Sequence, residues 1–138
     1  MLFECMPFGV ISMTVRGLIP RNAGELVGDY QVTHEVLVSW LHAISYTRNL
    51  CAHHARLWNR VFTIKPKQAR LYRQEMTPND RLYAQAIVVH LMQRAVAPDT
   101  HWAANLAKLL DEHPYVPLDR MGFPKEWAAW PVWKPPLG

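Results

Sequence analysis

The stretch Arg48-Asn49-Leu50-Cys51-Ala52-His53-His54-Ala55-Arg56-Leu57-Trp58-Asn59-Arg60 is denser than any other in groups that bind phosphate or move protons. A histidine titrates near neutral pH and can shuttle a proton. An arginine makes fixed, bidentate contacts with phosphate oxygens. Cutting RNA without a metal calls for a base near the 2′-hydroxyl, an acid near the leaving 5′-oxygen, and a cation on the developing phosphorane charge. Asn49 and His53 are four residues apart, so on a helix the amide can orient the imidazole or hold substrate beside it. Two other readings use the same residues. Cys51, His53 and His54 could ligate a metal, but adjacent histidines point about 100° apart on a helix, and no fourth ligand is evident. Alternatively, the histidines hydrogen-bond inside a core and the arginines snorkel along it.

Charge narrows the choice of partner. The chain carries 15 Lys and Arg against 11 Asp and Glu, a formal charge of +4. No acid lies between Glu35 and Glu75. That window holds Arg48, Arg56, Arg60, Lys65, Lys67, Arg70 and Arg73, with His42, His53 and His54 besides. Elsewhere acids outnumber cations, so the whole positive surplus comes from this window. Such a field attracts a polyanion, commonly RNA or DNA. The plain alternative is a solvated basic face without a partner.

The elements that must position these residues follow from length and periodicity. With 138 residues, the chain reads as one domain over 1–138, long enough to bury a core without staples. Cys5 and Cys51 show no ligand or disulfide spacing and fit a reducing compartment. The first residues carry Glu4 and Pro7 and lack a basic leader, which argues against a signal peptide. No apolar run approaches the roughly 20 residues of a membrane span. A cytoplasmic protein with no membrane contact and no cofactor is the expectation.

The pattern predicts a helix over 7–18 and a short one over 25–31. A long helix then starts at Thr33, which can cap it, with Glu35 in the first turn; no Gly or Pro interrupts until Pro66. Placed at about 100° per residue, Leu37, Trp40, Leu41, Ile44, Cys51, Ala55, Trp58 and Phe62 make a core face. His42, Ser45, Asn49, His53, Arg56 and Arg60 make a separate polar stripe, with Arg48 at the apolar edge and His54 well away from it. A helix over 80–96, capped by Asn79 or Asp80, contributes Leu82, Ala86, Val89, Leu91 and Val96 to the core. Another runs to about residue 112 with Trp102, Leu106, Leu109 and Leu110 on its apolar side. The tail from His113 has six prolines with Trp127, Trp130 and Trp133, and packs over the bundle with a short helical turn near 124–129. The fold class is therefore all-α: a bundle of four or five helices with a Pro/Trp-rich C-terminal tail packed on it.

The stretch from Arg48 to Arg60 also resembles the signature of the Abi-like proteins of the AbiD/AbiF type, bacterial abortive-infection proteins placed in the HEPN superfamily. The resemblance extends to Glu4 through Ser12, Ser39-Trp40-Leu41, Asn79-Asp80-Arg81-Leu82-Tyr83, Met121-Gly122-Phe123-Pro124, Trp127 and Trp133-Lys134. The HEPN hallmark is an Arg followed by a polar residue, then a His after four to six intervening positions. Arg48, Asn49 and His53 match it with four residues between, and His54 matches with five. The resemblance implies a HEPN-like bundle that cleaves RNA without a metal or cofactor in phage defence. Arg48, Asn49 and His53 would be catalytic with His54 in reserve, and Arg56, Arg60, Lys65, Lys67, His42 and Ser45 would hold RNA. HEPN sites are usually composite, so it also implies a homodimer, with an antitoxin or an N-terminal partner as a further expectation. Family members usually carry another N-terminal half, and this chain resembles the C-terminal one. The alternative reading is a non-catalytic RNA-binding or protein-interaction module, a truncated or degraded relative. In a third, the aromatic tail is a docking surface.

Overall fold

The computed structural model describes residues 31–134. The expected helices over 7–18 and 25–31 lie outside these residues but for Gln31, as does the resemblance from Glu4 to Ser12. Helix α1 (His34–Ala52) begins as its sequence dictates: Thr33 Oγ1 accepts from the Val36 amide at 3.3 Å, and Glu35 sits in the first turn. Helices α2 (Leu82–Val96) and α3 (Trp102–Glu112) follow. Single 3₁₀ turns form at Arg70–Tyr72, Asp119–Met121, Trp127–Ala129 and Pro131–Trp133. The described residues contain no strand, so the class is all-α. They hold three α-helices, against four or five expected for the whole chain.

The largest correction concerns the end of α1. The unbroken pattern predicted a helix running toward Pro66, yet α1 stops at Ala52. His54 adopts a left-handed backbone, φ 54°. Its amide donates to the Cys51 carbonyl at 3.0 Å, and the Ala55 amide donates to the Leu50 carbonyl at 2.8 Å. This pair of bonds is a Schellman motif, which satisfies the last carbonyls of a helix. Glycine normally supplies the left-handed residue; here histidine does, so the terminator is invisible to a search for Gly or Pro.

Beyond the turn the chain runs back without regular structure, and side chains of the helices meet its backbone groups. Ser39 Oγ accepts from the Lys67 amide and Trp40 Nε1 donates to the Lys67 carbonyl, both at 2.8 Å. Gln85 Nε2 donates to the Ile64 carbonyl at 3.2 Å, and Asn79 Nδ2 to the Pro66 carbonyl at 3.1 Å. Asn79 is thereby used in tethering rather than capping. Arg81 occupies the N-cap of α2 and no side chain bonds to the helix's first amides, so neither Asn79 nor Asp80 caps it.

Helix α2 is the central element: Tyr83 through Val88, then His90 and Leu91, are all buried. Trp40 from α1, Met76, Met121, Val132 and Trp133 close around it. Leu82 and Val89 are half-buried, and Val96, expected inside, is exposed at the helix end. On α3, Trp102, Leu106 and Leu110 pack inward while Leu109 is half exposed, because that helix covers the core along one edge.

The tail does close the core. Trp127 and Trp133 are buried, and Trp133 Nε1 donates to the Tyr83 hydroxyl at 3.0 Å. Arg94 reinforces the closure by donating to the Val132 and Lys134 carbonyls, each at 3.2 Å. Gly122 permits the bend into the tail. Its φ is 82°, and a Cβ there would lie 2.9 Å from the Arg81 Cβ.

Candidate functional site at the end of α1

The last turn of α1 presents Arg48 and Asn49 to solvent, and the Schellman turn presents His53 and His54. Arg48 Nη1 donates to Asn49 Oδ1 at 3.3 Å. The His53 amide donates to the Asn49 carbonyl at 3.1 Å, which fixes His53 as the C-cap. His53 keeps near-helical dihedrals, φ −94° and ψ 15°, so helical geometry still places it about 40° from Asn49 and about 140° from Arg48. Asn49 and His53 therefore share a face, whereas Arg48 and His53 diverge. Arg48 is exposed rather than half-desolvated at the apolar edge, and Cys51 is exposed rather than in the core.

Because α1 ends at Ala52, Arg56 and Arg60 do not continue its polar stripe. The Arg56 guanidinium lies 4.9 Å from the centroid of the Trp58 ring, a cation–π contact on an indole that is itself exposed. Trp58 is thus outside the core face expected of it, whereas Phe62 is fully buried. Arg60 Nη1 donates to the Arg56 carbonyl at 3.5 Å. Ser45 is buried, in the row Leu37, Leu41, Ser45 spaced by four, so it faces the core instead of the polar stripe.

His42 is exposed, and Tyr46 stands between it and the site. Positions 42, 46, 49 and 53 follow one helical face. The Tyr46 hydroxyl lies 3.1 Å from Thr63 Oγ1. That bond, with the nearby Arg60 guanidinium, holds the phenol below its ordinary range. An aromatic residue in an apolar helix reads as core, so sequence reasoning passed over Tyr46; its spacing to Asn49 and His53 was the available signal.

The remaining cations differ in availability. Lys67 Nζ is 2.7 Å from Glu35 Oε1, and this bond holds the Glu35 carboxyl below its usual range. The charge of Lys67 is thus answered within the chain, while Lys65 is exposed and makes no ion pair among the described residues. Among the described residues no group of three His, Cys, Asp or Glu could hold a metal ion. The divergence of neighbouring histidines on a helix no longer bears on that question, since His54 has a left-handed backbone and leaves the helical path. No helix of the described residues is long and apolar enough to cross a membrane.

No curated protein and no solved structure matches the chain. Residues 1–59 match the family model described as Abi-like protein, a span that includes all of α1 and the stretch from Arg48 to Asn59. Over that span, somewhat under half of its length, the chain is similar to the Abi-like family.

Proposed function

We propose that this Abi-like chain serves bacterial abortive infection as a metal-independent, HEPN-type endoribonuclease in the cytoplasm. The observation that carries the reading is the exposed group Arg48, Asn49 and His53 at the end of α1, inside a window free of acids. His53 takes the proton from a 2′-hydroxyl or gives one to the departing 5′-oxygen. The 2′-oxygen bonds to phosphorus as the bond from phosphorus to the 5′-oxygen breaks, leaving a cyclic phosphate and a free 5′-hydroxyl. Arg48 answers the charge on the phosphorane oxygens. Asn49, on the face of His53, orients the imidazole or the substrate. Arg56, Arg60 and Lys65 hold the RNA backbone, Lys67 contributes less because Glu35 occupies it, and His42 extends the same face.

The divergence of Arg48 and His53 within one chain supports a composite site. In a two-fold dimer that pairs the α1 ends, Arg48 of one copy would face His53 of the other. An antitoxin or N-terminal partner would restrain the site by covering the same end. The test is incubation of the purified chain with total cellular RNA in the presence of a chelator. Cleavage is expected from the parent chain and is lost in Arg48→Ala and in His53→Ala. Cleavage that survives both changes, or that needs a divalent ion, rejects the mechanism.

A further inference from the structure

Two clefts lie on another part of the molecule, between the segment carrying the Arg70–Tyr72 turn and the start of the tail. One, of about 480 Å³, is walled by Arg81, Tyr83, Asp119, Arg120 and Phe123. The other, of about 790 Å³, is walled by Arg70, Leu71, Arg73 and Gln74. Both include Glu75, Thr77 and Trp130, so they adjoin across a common wall and together make one grooved surface. Each falls in the roughly 300–1,000 Å³ range of small-ligand sites.

The groove has four arginines against two acids. Among the described residues the guanidinium groups of Arg70, Arg73 and Arg120 make no ion pair or hydrogen bond, although Glu75 and Asp119 line the same groove. Elsewhere on the surface Lys67 and Lys108 do find carboxylates. The wall is held in shape: Arg81 Nη1 donates to the Arg120 carbonyl at 3.2 Å, and Gly122 packs against the Arg81 side chain where no Cβ would fit. The half-buried indole of Trp130 is common to both clefts.

An open groove that sets unpaired guanidiniums beside a half-buried aromatic ring matches the chemistry of single-stranded nucleic acid. The cations follow the phosphates and the ring stacks a base. We propose that this groove binds a single-stranded RNA segment, with Arg70, Arg73 and Arg120 on its phosphates and a base against Trp130. The ligand class rests on the RNA reading above, but the groove requires no cleavage at the end of α1.

The experiment uses the full chain and an eight-nucleotide RNA carrying 4-thiouridine and a fluorescein label. After irradiation, crosslinked peptides are mapped by mass spectrometry. Crosslinks within 70–81 or 119–130 are expected; crosslinks confined to 48–60 overturn the proposal. In parallel, fluorescence anisotropy compares the parent chain with Arg73→Glu/Arg120→Glu, two exposed positions whose change leaves the core intact. Affinity is expected to fall at least about tenfold, with a salt dependence shallower by more than one unit of slope. An unchanged affinity overturns the proposal and leaves the groove to an acidic protein segment. Binding in the groove without cleavage of total RNA would sink the enzymatic reading alone. Cleavage without groove crosslinks would sink the groove alone.

Discussion

His54 is the residue on which the shape of the site turns, and replacing it with glycine tests that role. Its left-handed φ of 54° sits at the position where Schellman motifs favour glycine. For a residue with a Cβ this conformation costs about 1–2 kcal/mol. Glycine removes that cost but loses roughly 0.5–1 kcal/mol through its extra freedom in the unfolded chain. His54→Gly is therefore expected to raise stability by about 0.5–1 kcal/mol, or a few degrees in Tm for a chain of this size. His54→Ala keeps the left-handed penalty and serves as the control for loss of the imidazole. Urea unfolding followed by tryptophan fluorescence reads both, since buried Trp40, Trp127 and Trp133 report the core. A lower midpoint for His54→Gly than for His54→Ala would refute the assignment of the helix end. The same variant separates the two histidines: retained RNA cleavage assigns the chemistry to His53, and lost cleavage assigns it to His54.

Three further outcomes follow from the geometry. His90, 5% exposed, lies beside the stacked pair of Trp133 and Trp102, its ring 4.8 Å from the first and 6.2 Å from the second. Burial, and then Arg94, push it below its ordinary value of 6.5 against the opposing pull of the Val132 carbonyl. Its neutral form is thus favoured in the fold. Stability is full above pH 6.5, and falls below it by up to about 1.4 kcal/mol per pH unit until the native ring protonates. Urea melts at descending pH should show this loss, and His90→Phe should flatten it. Gly122→Ala should lower stability by about 1–3 kcal/mol in the same assay, from the φ of 82° and the 2.9 Å approach to Arg81. With Lys67 paired to Glu35, the window and the groove together offer at most Arg48, Arg56, Arg60, Lys65, Arg70, Arg73 and Arg120 to RNA. The logarithmic salt slope should then be no steeper than about −5, and Arg48→Ala should flatten it by about 0.7.

Much of the frame was legible in the residues. Thr33 and Glu35 announced the start of α1, and the spacing of Leu37, Trp40 and Leu41 announced its buried face. The prolines and tryptophans of the tail announced an extended closure, because so many prolines forbid a long helix and indoles favour burial. What escaped were features set by backbone strain and by long-range contacts. His54 ends α1 without a glycine, so Cys51 and Trp58 left the face that periodicity gave them. Asn79 looked like a cap but is used by Pro66, a partner 13 residues earlier in the chain. Ser45 is polar by type yet sits in a row with Leu37 and Leu41, and the row decides its direction. At the end of α1, type and spacing single out Arg48, Asn49 and His53 as candidates, and the structure adds that all three are exposed; the divergence of Arg48 from His53 becomes informative once His53 is seen to be the C-cap, directly after the last helical residue.

That divergence makes the composite site testable by mixing two inactive chains. Arg48→Ala and His53→Ala are each expected to be inactive alone. In a mixed dimer, one of the two sites regains an intact Arg48 and an intact His53, while the other loses both. Random exchange between equal amounts should then restore about a quarter of the parent cleavage rate. Recovery near that level, in chelator, is the result the account predicts. A mixture as inactive as its components, with dimer exchange verified by light scattering and mass spectrometry, would contradict a site shared between two copies.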